Sequence, residues 1–262
     1  MKKVSTLLVI AIVVLSSCQK SDEYLNTELV EGKQIKENGK LAGEIKKCSI
    51  LQVTYTMSGT TDVLQFTYNS SGDPESIRRN SGGHTGYPNY AFKYDQRKRL
   101  TDFIGPYNNT TAEFWHKYLY DNRGNIVLDS TYIFPRIEND FPENPYTREL
   151  TFYTYDDKDR IIKDSTVFSG STSAVVHTYA YDERGNKIGN TYDNNININR
   201  TNKIWMFLNR DYSVNNPFRA DSYNASGLPS SFTLSQENAF NFLSNAYATA
   251  QIIYECDAQT NQ

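Results

Sequence analysis

Few residues in this chain of 262 could do chemistry, and their types and spacing favour structure over catalysis. There are three histidines. His84 lies in the glycine-rich stretch Ser81-Gly82-Gly83-His84-Thr85-Gly86, which reads as a solvated loop. His116 and His177 each stand four residues before a tyrosine of a recurring motif, so they fill one repeat slot, held elsewhere by Leu64, Tyr90 and Thr151. A shared metal ion would need both imidazoles to converge from two repeats apart, so no metal and no cofactor is expected. The acidic pairs Asp156-Asp157 and Asp182-Glu183 fall in turns. Turn carboxylates can hold calcium and glycosidases use two of them, yet solvated turn charge is the simpler reading. No Gly-x-Ser-x-Gly elbow occurs to present a nucleophilic serine. The expectation is a protein that is not an enzyme, with a hydrolase of illegible site as the least favoured alternative.

Aromatic side chains offer the more promising chemistry. Trp115, Tyr87, Tyr107 and Tyr146, with Trp205 beside them, are candidates for stacking on sugar rings. The Pro- and Asn-rich links 105–109 and 135–145 are the kind of loop on which function gathers. The competing reading is that most aromatics of a β protein fill its core.

Six motifs must position these residues. They begin at Tyr68, Tyr94, Tyr120, Tyr155, Tyr181 and Tyr223, which stand 26, 26, 35, 26 and 42 residues apart. A period of this size marks a repeat architecture. Before each turn large residues alternate, as in Leu64, Phe66, Tyr68 or Phe114, His116, Tyr118, Tyr120, which sets them on one face of a strand. Asp or Asn follows the tyrosine and accepts backbone hydrogen bonds, and three residues later glycine supplies a positive φ. Lys98 and Asp159 take the glycine position in two copies; aspartate tolerates the left-handed region moderately, lysine less well. Pro74 and Pro229 sit near the start of return strands, where a missing donor does least harm.

The fold class expected is all-β, with antiparallel β-hairpin repeats in a curved or closed barrel-like sheet of about 12–14 strands and one short helix. Further strands are expected at 49–57 and 248–255. The helix is placed at Gln236–Leu243, capped by Ser235. Periodicity leaves the apolar run Lys203–Asn209 open between a buried strand and a helical turn.

The N-terminus reads as processing signal and tether. Lys2 and Lys3 precede nine apolar residues, Leu7–Leu15, too short to span a bilayer and suited to a secretory signal. Residues 1–17 are therefore expected to be a signal peptide, 18–47 an N-terminal polar linker, and 48–262 the repeat domain. Without residues 1–17 the chain carries 25 basic and 30 acidic residues, a net charge of −5. That weakly acidic balance argues against nucleic acid, which needs concentrated Lys and Arg. Cys48 and Cys256 are an even pair in an exported chain, which invites a disulfide. Their pairing depends on first and last strands being neighbours; two buried free thiols are the alternative.

Five sets of residues carry resemblances. Leu15-Ser16-Ser17-Cys18 resembles the bacterial lipoprotein box, which implies acylation of Cys18 and a membrane anchor without a spanning helix. Gln19-Lys20-Ser21-Asp22-Glu23 resembles the surface-export signal of Bacteroidota lipoproteins, interrupted by Ser21; a polar linker is the other reading. Tyr120-Asp121-Asn122-Arg123-Gly124-Asn125-Ile126 and its echoes resemble the YD repeat of Rhs and teneurin-type proteins. The order of Ile204–Asn209, Tyr212–Asn216, Tyr223–Pro229 and Ile253–Cys256 resembles Bacteroidota lipoproteins of unknown function with a porin-like β-barrel fold. That resemblance covers roughly 48–256 and carries no site residues. Asp129-Ser130-Thr131 and Asp164-Ser165-Thr166 resemble O-glycosylation sites at Ser130 and Ser165, or else are strand sequence repeated within the chain.

The polar C-terminus 257–262 and a mean hydropathy of −0.63 favour a soluble barrel over a pore. The functional expectation is a membrane-tethered extracytoplasmic binding protein for a glycan or protein ligand, held at the outer membrane and facing the cell surface, with the periplasmic face as alternative. A structural envelope protein without a small-molecule ligand is the competing class.

Overall fold

The same local device closes the six motif turns. In the computed structural model, which describes residues 48–57, 59–233 and 249–256, the side chain after each motif tyrosine caps its own turn. Asp95 Oδ1 accepts from the amides of Arg97 and Arg99, Asp121 Oδ1 from Arg123 and Asn125, and Asp156 Oδ1 from Lys158 and Arg160, all at 2.8–3.0 Å. Asn69 and Asn224 do the same in the first and last copies. The fourth turn residue is left-handed throughout: Gly124 has φ 87°, and Lys98 and Asp159 have φ 60° and 56°.

These turns join antiparallel strands. In chain order the strands are β1 (Cys48–Met57), β2 (Thr60–Tyr68), β3 (Pro74–Arg79), β4 (Tyr90–Tyr94), β5 (Leu100–Pro106), β6 (Ala112–Tyr120), β7 (Ile126–Ile133), β8 (Arg136–Glu138), β9 (Phe141–Glu143), β10 (Thr147–Tyr155), β11 (Ile161–Phe168), β12 (Ala174–Thr178), β13 (Ser222–Tyr223), β14 (Pro229–Thr233) and β15 (Thr249–Cys256). Thirteen form one sheet, ordered β12-β11-β10-β7-β6-β5-β4-β3-β2-β1-β15-β14-β13, while β8 and β9 make a separate small hairpin. The sheet curls but does not close, so of the two expected forms it takes the open one. Its edges are β12, exposed along all five residues, and the two-residue β13.

The motif tyrosines fasten one hairpin to the one before. The hydroxyls of Tyr94, Tyr120, Tyr155 and Tyr181 donate to the carbonyls of Pro74, Leu100, Ile126 and Ile161, each the first residue of a return strand. Tyr254 makes the same bond to Pro229 at the start of β14. A tyrosine here buries its ring and satisfies a carbonyl that the end of the ladder would leave bare.

First and last strands are neighbours. β1 and β15 pair antiparallel with Cys48 opposite Cys256, and the two cysteines form a disulfide across 208 residues of sequence.

The concave face is plugged by a segment that breaks the repeat. A 3₁₀ turn, Ile198–Thr201, leads into the helix α1, Lys203–Asn209. Asn202 caps α1 by accepting from the Ile204 amide at 2.8 Å. Trp205, fully buried, meets Phe66 and Phe92 edge-on at 6.0 and 5.7 Å, and Phe207 meets Tyr118 and Tyr153 at 5.4 and 5.3 Å. Burying one such indole removes about 150–250 Å² from water, an upper figure of ~4–6 kcal/mol. The apolar run left open by periodicity is thus a helix. The helix expected at Gln236–Leu243 lies outside the described residues, as does Cys18.

Candidate functional site

Between α1 and the middle strands lies a cleft of about 200 Å³. Strand alternation builds its aromatic wall: Phe114, His116 and Tyr118 share one face of β6, with Tyr90 of β4 and Phe103 of β5 beside them. His116 lies parallel to Phe103 at 5.5 Å and to Tyr118 at 6.1 Å. Phe207 and Leu208 of α1 form the opposite wall. The cleft opens to solvent at His116 and Arg210, whose side chains are 23% and 34% exposed.

A polar chain runs along the floor. Asp129 stands opposite Tyr118 in the β6–β7 register and is buried. Its carboxylate oxygens lie 2.9 and 3.0 Å from His116 Nδ1, and Thr131 Oγ1 lies 2.9 Å from the same nitrogen. The Tyr153 hydroxyl reaches Asp129 at 3.5 Å and accepts from Arg210 Nη2 at 3.3 Å. Arg210 Nε is 3.2 Å from Asp164 Oδ2, close enough for an ion pair but without the alignment of a hydrogen bond. Asp164 in turn is 2.8 Å from His177 Nδ1 and accepts from the Tyr179 hydroxyl.

Two features of this floor stand out. Tyr118 is 5% exposed, and its hydroxyl has no hydrogen-bond partner among the described residues. It lies in the field of Asp129, Tyr153 and Arg210, all of which line the cleft. Burial, reinforced by the Asp129 charge, pushes this phenol far above its ordinary range, so it stays a neutral O–H. Arg210 has φ 49°, the left-handed residue that ends α1, with its amide bonded back to the carbonyls of Met206 and Phe207. Glycine usually fills that position because it pays no Cβ penalty. Burial acts to lower the Arg210 pKa, but the neighbouring Tyr153 and Asp164 outweigh it and hold the guanidinium charged.

The residues singled out in the sequence are placed differently. Trp115 is 1% exposed, which overturns its role as a stacking platform. It projects to the other face of β6, donates Nε1–H to Asp102 at 2.7 Å, and packs with Ile104 and Ala112. Trp205 is likewise core. Tyr87 is half-buried against the Arg79 guanidinium, and the Tyr107 hydroxyl donates to Glu113 at 3.0 Å. The Gly86 amide donates to the same Glu113 carboxylate at 2.7 Å, so these two loops meet there. Tyr146 is 83% exposed, ahead of β10. None of the four lines the cleft.

Ser130 is 8% exposed on β7, which is paired on both sides, so the folded chain does not offer it for glycosylation; Ser165 is half-buried on β11. The Asp-Ser-Thr tripeptides instead supply Asp129 and Asp164, the two buried carboxylates that hold His116 and His177. Asp129 pairs within its hairpin and Asp164 with the next one, because each histidine sits before a turn and each aspartate after one. Among the described residues no three metal-type side chains converge. Sequence reasoning missed Arg210, Asp129, Tyr118 and Tyr153. The available signal was a non-glycine at the end of the apolar run and the recurrence of Asp-Ser-Thr beside a histidine slot.

No protein-family model matches the chain, and no curated protein does. Solved structures with similarity to part of it are TcdB2-TccC3-Cdc42 (14% identity, TM-score 0.30, 58% of this chain and 8% of that one) and TcdB2-TccC3-TEV (13%, 0.31, 76% and 10%). A third is TcdB2-TccC3 without its hypervariable C-terminal region (17%, 0.25, 57% and 9%). The chain spans a tenth or less of the length of those chains.

Proposed function

We propose that this chain is an exported, lipid-anchored, non-enzymatic binding protein that takes a small ligand in the aromatic cleft of its concave face. The observation that carries the reading is the buried Tyr118 hydroxyl without a partner, in a cleft otherwise walled by rings. Such a group costs free energy in the empty protein unless something supplies its acceptor. A binding rather than hydrolytic role is supported by the lining, which contains a single carboxylate, Asp129, already engaged by His116. Cys18 would carry the acyl anchor at the outer membrane, with the domain on the cell surface or, alternatively, on the periplasmic face.

Thermal shift of the purified mature chain against saccharides, peptides and nucleosides tests the cleft. At least one class raises the midpoint of the wild type and leaves Leu208→Trp, which fills the cleft, unmoved. A chain that responds to none of them is the structural envelope protein of the competing class. Acyl labelling tests the anchor: Cys18→Ala loses the label and the membrane fraction, and a variant that keeps both refutes it.

A further inference from the structure

The cleft's dimensions and unused hydrogen-bonding groups narrow the ligand. Its volume, about 200 Å³, falls below that of sites for drug-sized molecules, so it suits one small ring. Its walls are apolar faces. Its one carboxylate is engaged, both Asp129 oxygens lying against His116, and behind the lining Asp164 serves His177, Tyr179 and Arg210. The buried polar group of the lining left with neither a hydrogen bond nor an ion pair is a donor, the Tyr118 O–H. The occupant must therefore bring an acceptor oxygen.

Charge decides which kind. Arg210 is one guanidinium among two buried carboxylates, Asp129 and Asp164. An anionic ligand would add a third negative charge at short range, where each repulsion is substantial in a partly desolvated site. A neutral amide carbonyl is a strong acceptor without that penalty, and an adjoining methyl matches the aromatic wall. Resting on the reading of this cleft as a ligand site, and on export to a compartment rich in polysaccharide, we propose that it holds a neutral N-acylated sugar ring. The ring's C–H face lies on the aromatic wall, and its acyl oxygen accepts from the Tyr118 hydroxyl.

Ligand-observed NMR on the mature chain, with N-acetylglucosamine, glucose, glucuronate and nicotinamide as probes, tests this together with Tyr118→Phe. The acetamido sugar binds tightest, and Tyr118→Phe weakens it by about three- to tenfold, the span of one hydrogen bond. The ligand-free variant melts at the wild-type temperature or above it, because the lost hydroxyl had no partner. Glucuronate or nicotinamide binding as well as the acetamido sugar overturns the ligand class and leaves the cleft reading standing. Failure of every probe, with no response across the saccharides, peptides and nucleosides of the thermal-shift panel, removes both. A Tyr118→Phe chain that melts lower assigns the hydroxyl a structural role and also overturns the proposal.

Discussion

Lys98 and Asp159 occupy the same left-handed turn position, yet replacing each with glycine should move stability in opposite directions. Lys98 has φ 60° and an exposed side chain. A side chain with a Cβ loses about 1–2 kcal/mol in this conformation. Glycine removes that strain but adds about 0.5–1 kcal/mol of backbone entropy to the unfolded chain. Lys98→Gly therefore stabilises by roughly 0.5–1 kcal/mol, or about 1–4 °C for a domain of this size. At Asp159, φ 56°, the strain is smaller because aspartate tolerates the region, so the two backbone effects nearly cancel.

What remains at Asp159 is the cost of its side-chain contacts. Oδ1 accepts from Asn125 Nδ2 at 2.8 Å and pairs with Arg123, tying the third hairpin to the fourth. Asn125 is 7% exposed, so glycine at 159 strands a buried amide at a cost of about 1–3 kcal/mol. The Arg123 side chain is 59% exposed, and its ion pair adds only ~0–0.5 kcal/mol. Asp159→Gly should thus destabilise by roughly 1–3 kcal/mol, and the two variants should differ by about 1.5–4 kcal/mol. Urea unfolding with the disulfide intact measures both, provided the m value is unchanged. Equal shifts of the same sign would refute the reasoning, since the turn position would then respond to backbone alone. So would a Lys98→Gly chain less stable than wild type, which would mean the lysine is not strained.

Cys48→Ala with Cys256→Ala frees the 208-residue separation and should lower stability by up to about 5 kcal/mol in calorimetry, on chain entropy; a change below ~1 kcal/mol would show that β1 and β15 hold without the bond. Burial acts to raise the Asp62 pKa, but the Tyr55 and Arg79 hydrogen bonds and the Arg79 charge bring it below the ordinary value. Its stabilisation is therefore complete above the unfolded carboxylate range and fades as pH falls through the folded value. Acid titration of stability should lose that component in Asp62→Asn, and an unchanged profile contradicts it. Tyr120→Phe, which deprives the Leu100 carbonyl of its donor, should cost about 0.5–1.5 kcal/mol in denaturant, whereas Tyr146→Phe at an 83%-exposed site should cost nothing measurable.

The turns were the most legible part of this chain. Each motif turn is specified within five residues by local chemistry: an acceptor side chain, one or two amides and a left-handed residue. The alternation before each turn gave the buried faces of β2, β4 and β6, but it failed for Val175 at 46% exposure, because β12 is an edge strand with nothing laid over it. Edges depend on which strands lack neighbours, and a repeat pattern does not encode where the array stops. Trp115 was misplaced for a related reason. One register step separates it from the cleft-facing Phe114 and His116, and the small core it fills draws on Ile137 of the β8–β9 hairpin as well as on Ile104, Ala112 and Tyr132.

The cleft itself was illegible because it belongs to neither half of the sequence pattern alone. The repeats form a curved wall whose inward slots tolerate Leu, Tyr, Thr or His, as positions 64, 90, 151 and 116 show. The non-repeating segment from Ile198 to Arg210 fills the curve over Phe66 and Phe92, where Trp205 seats, and again over Tyr118 and Tyr153, where Phe207 seats. Beside Phe207 the polar slots of β6, β7 and β10 meet the end of the helix. A polar row cannot be buried under an apolar helix without stranding its groups, so the chain turns left-handed at Arg210 and lays a guanidinium across Tyr153 and Asp164 instead. The opening at His116 and Arg210 is the consequence of that mismatch. A glycine at 210, the residue the backbone would prefer, would relax the turn and leave Asp164 short of its counter-charge. That the sequence keeps arginine there, against local conformational preference, ties the helix end to the polar floor of the cleft rather than to the helix itself.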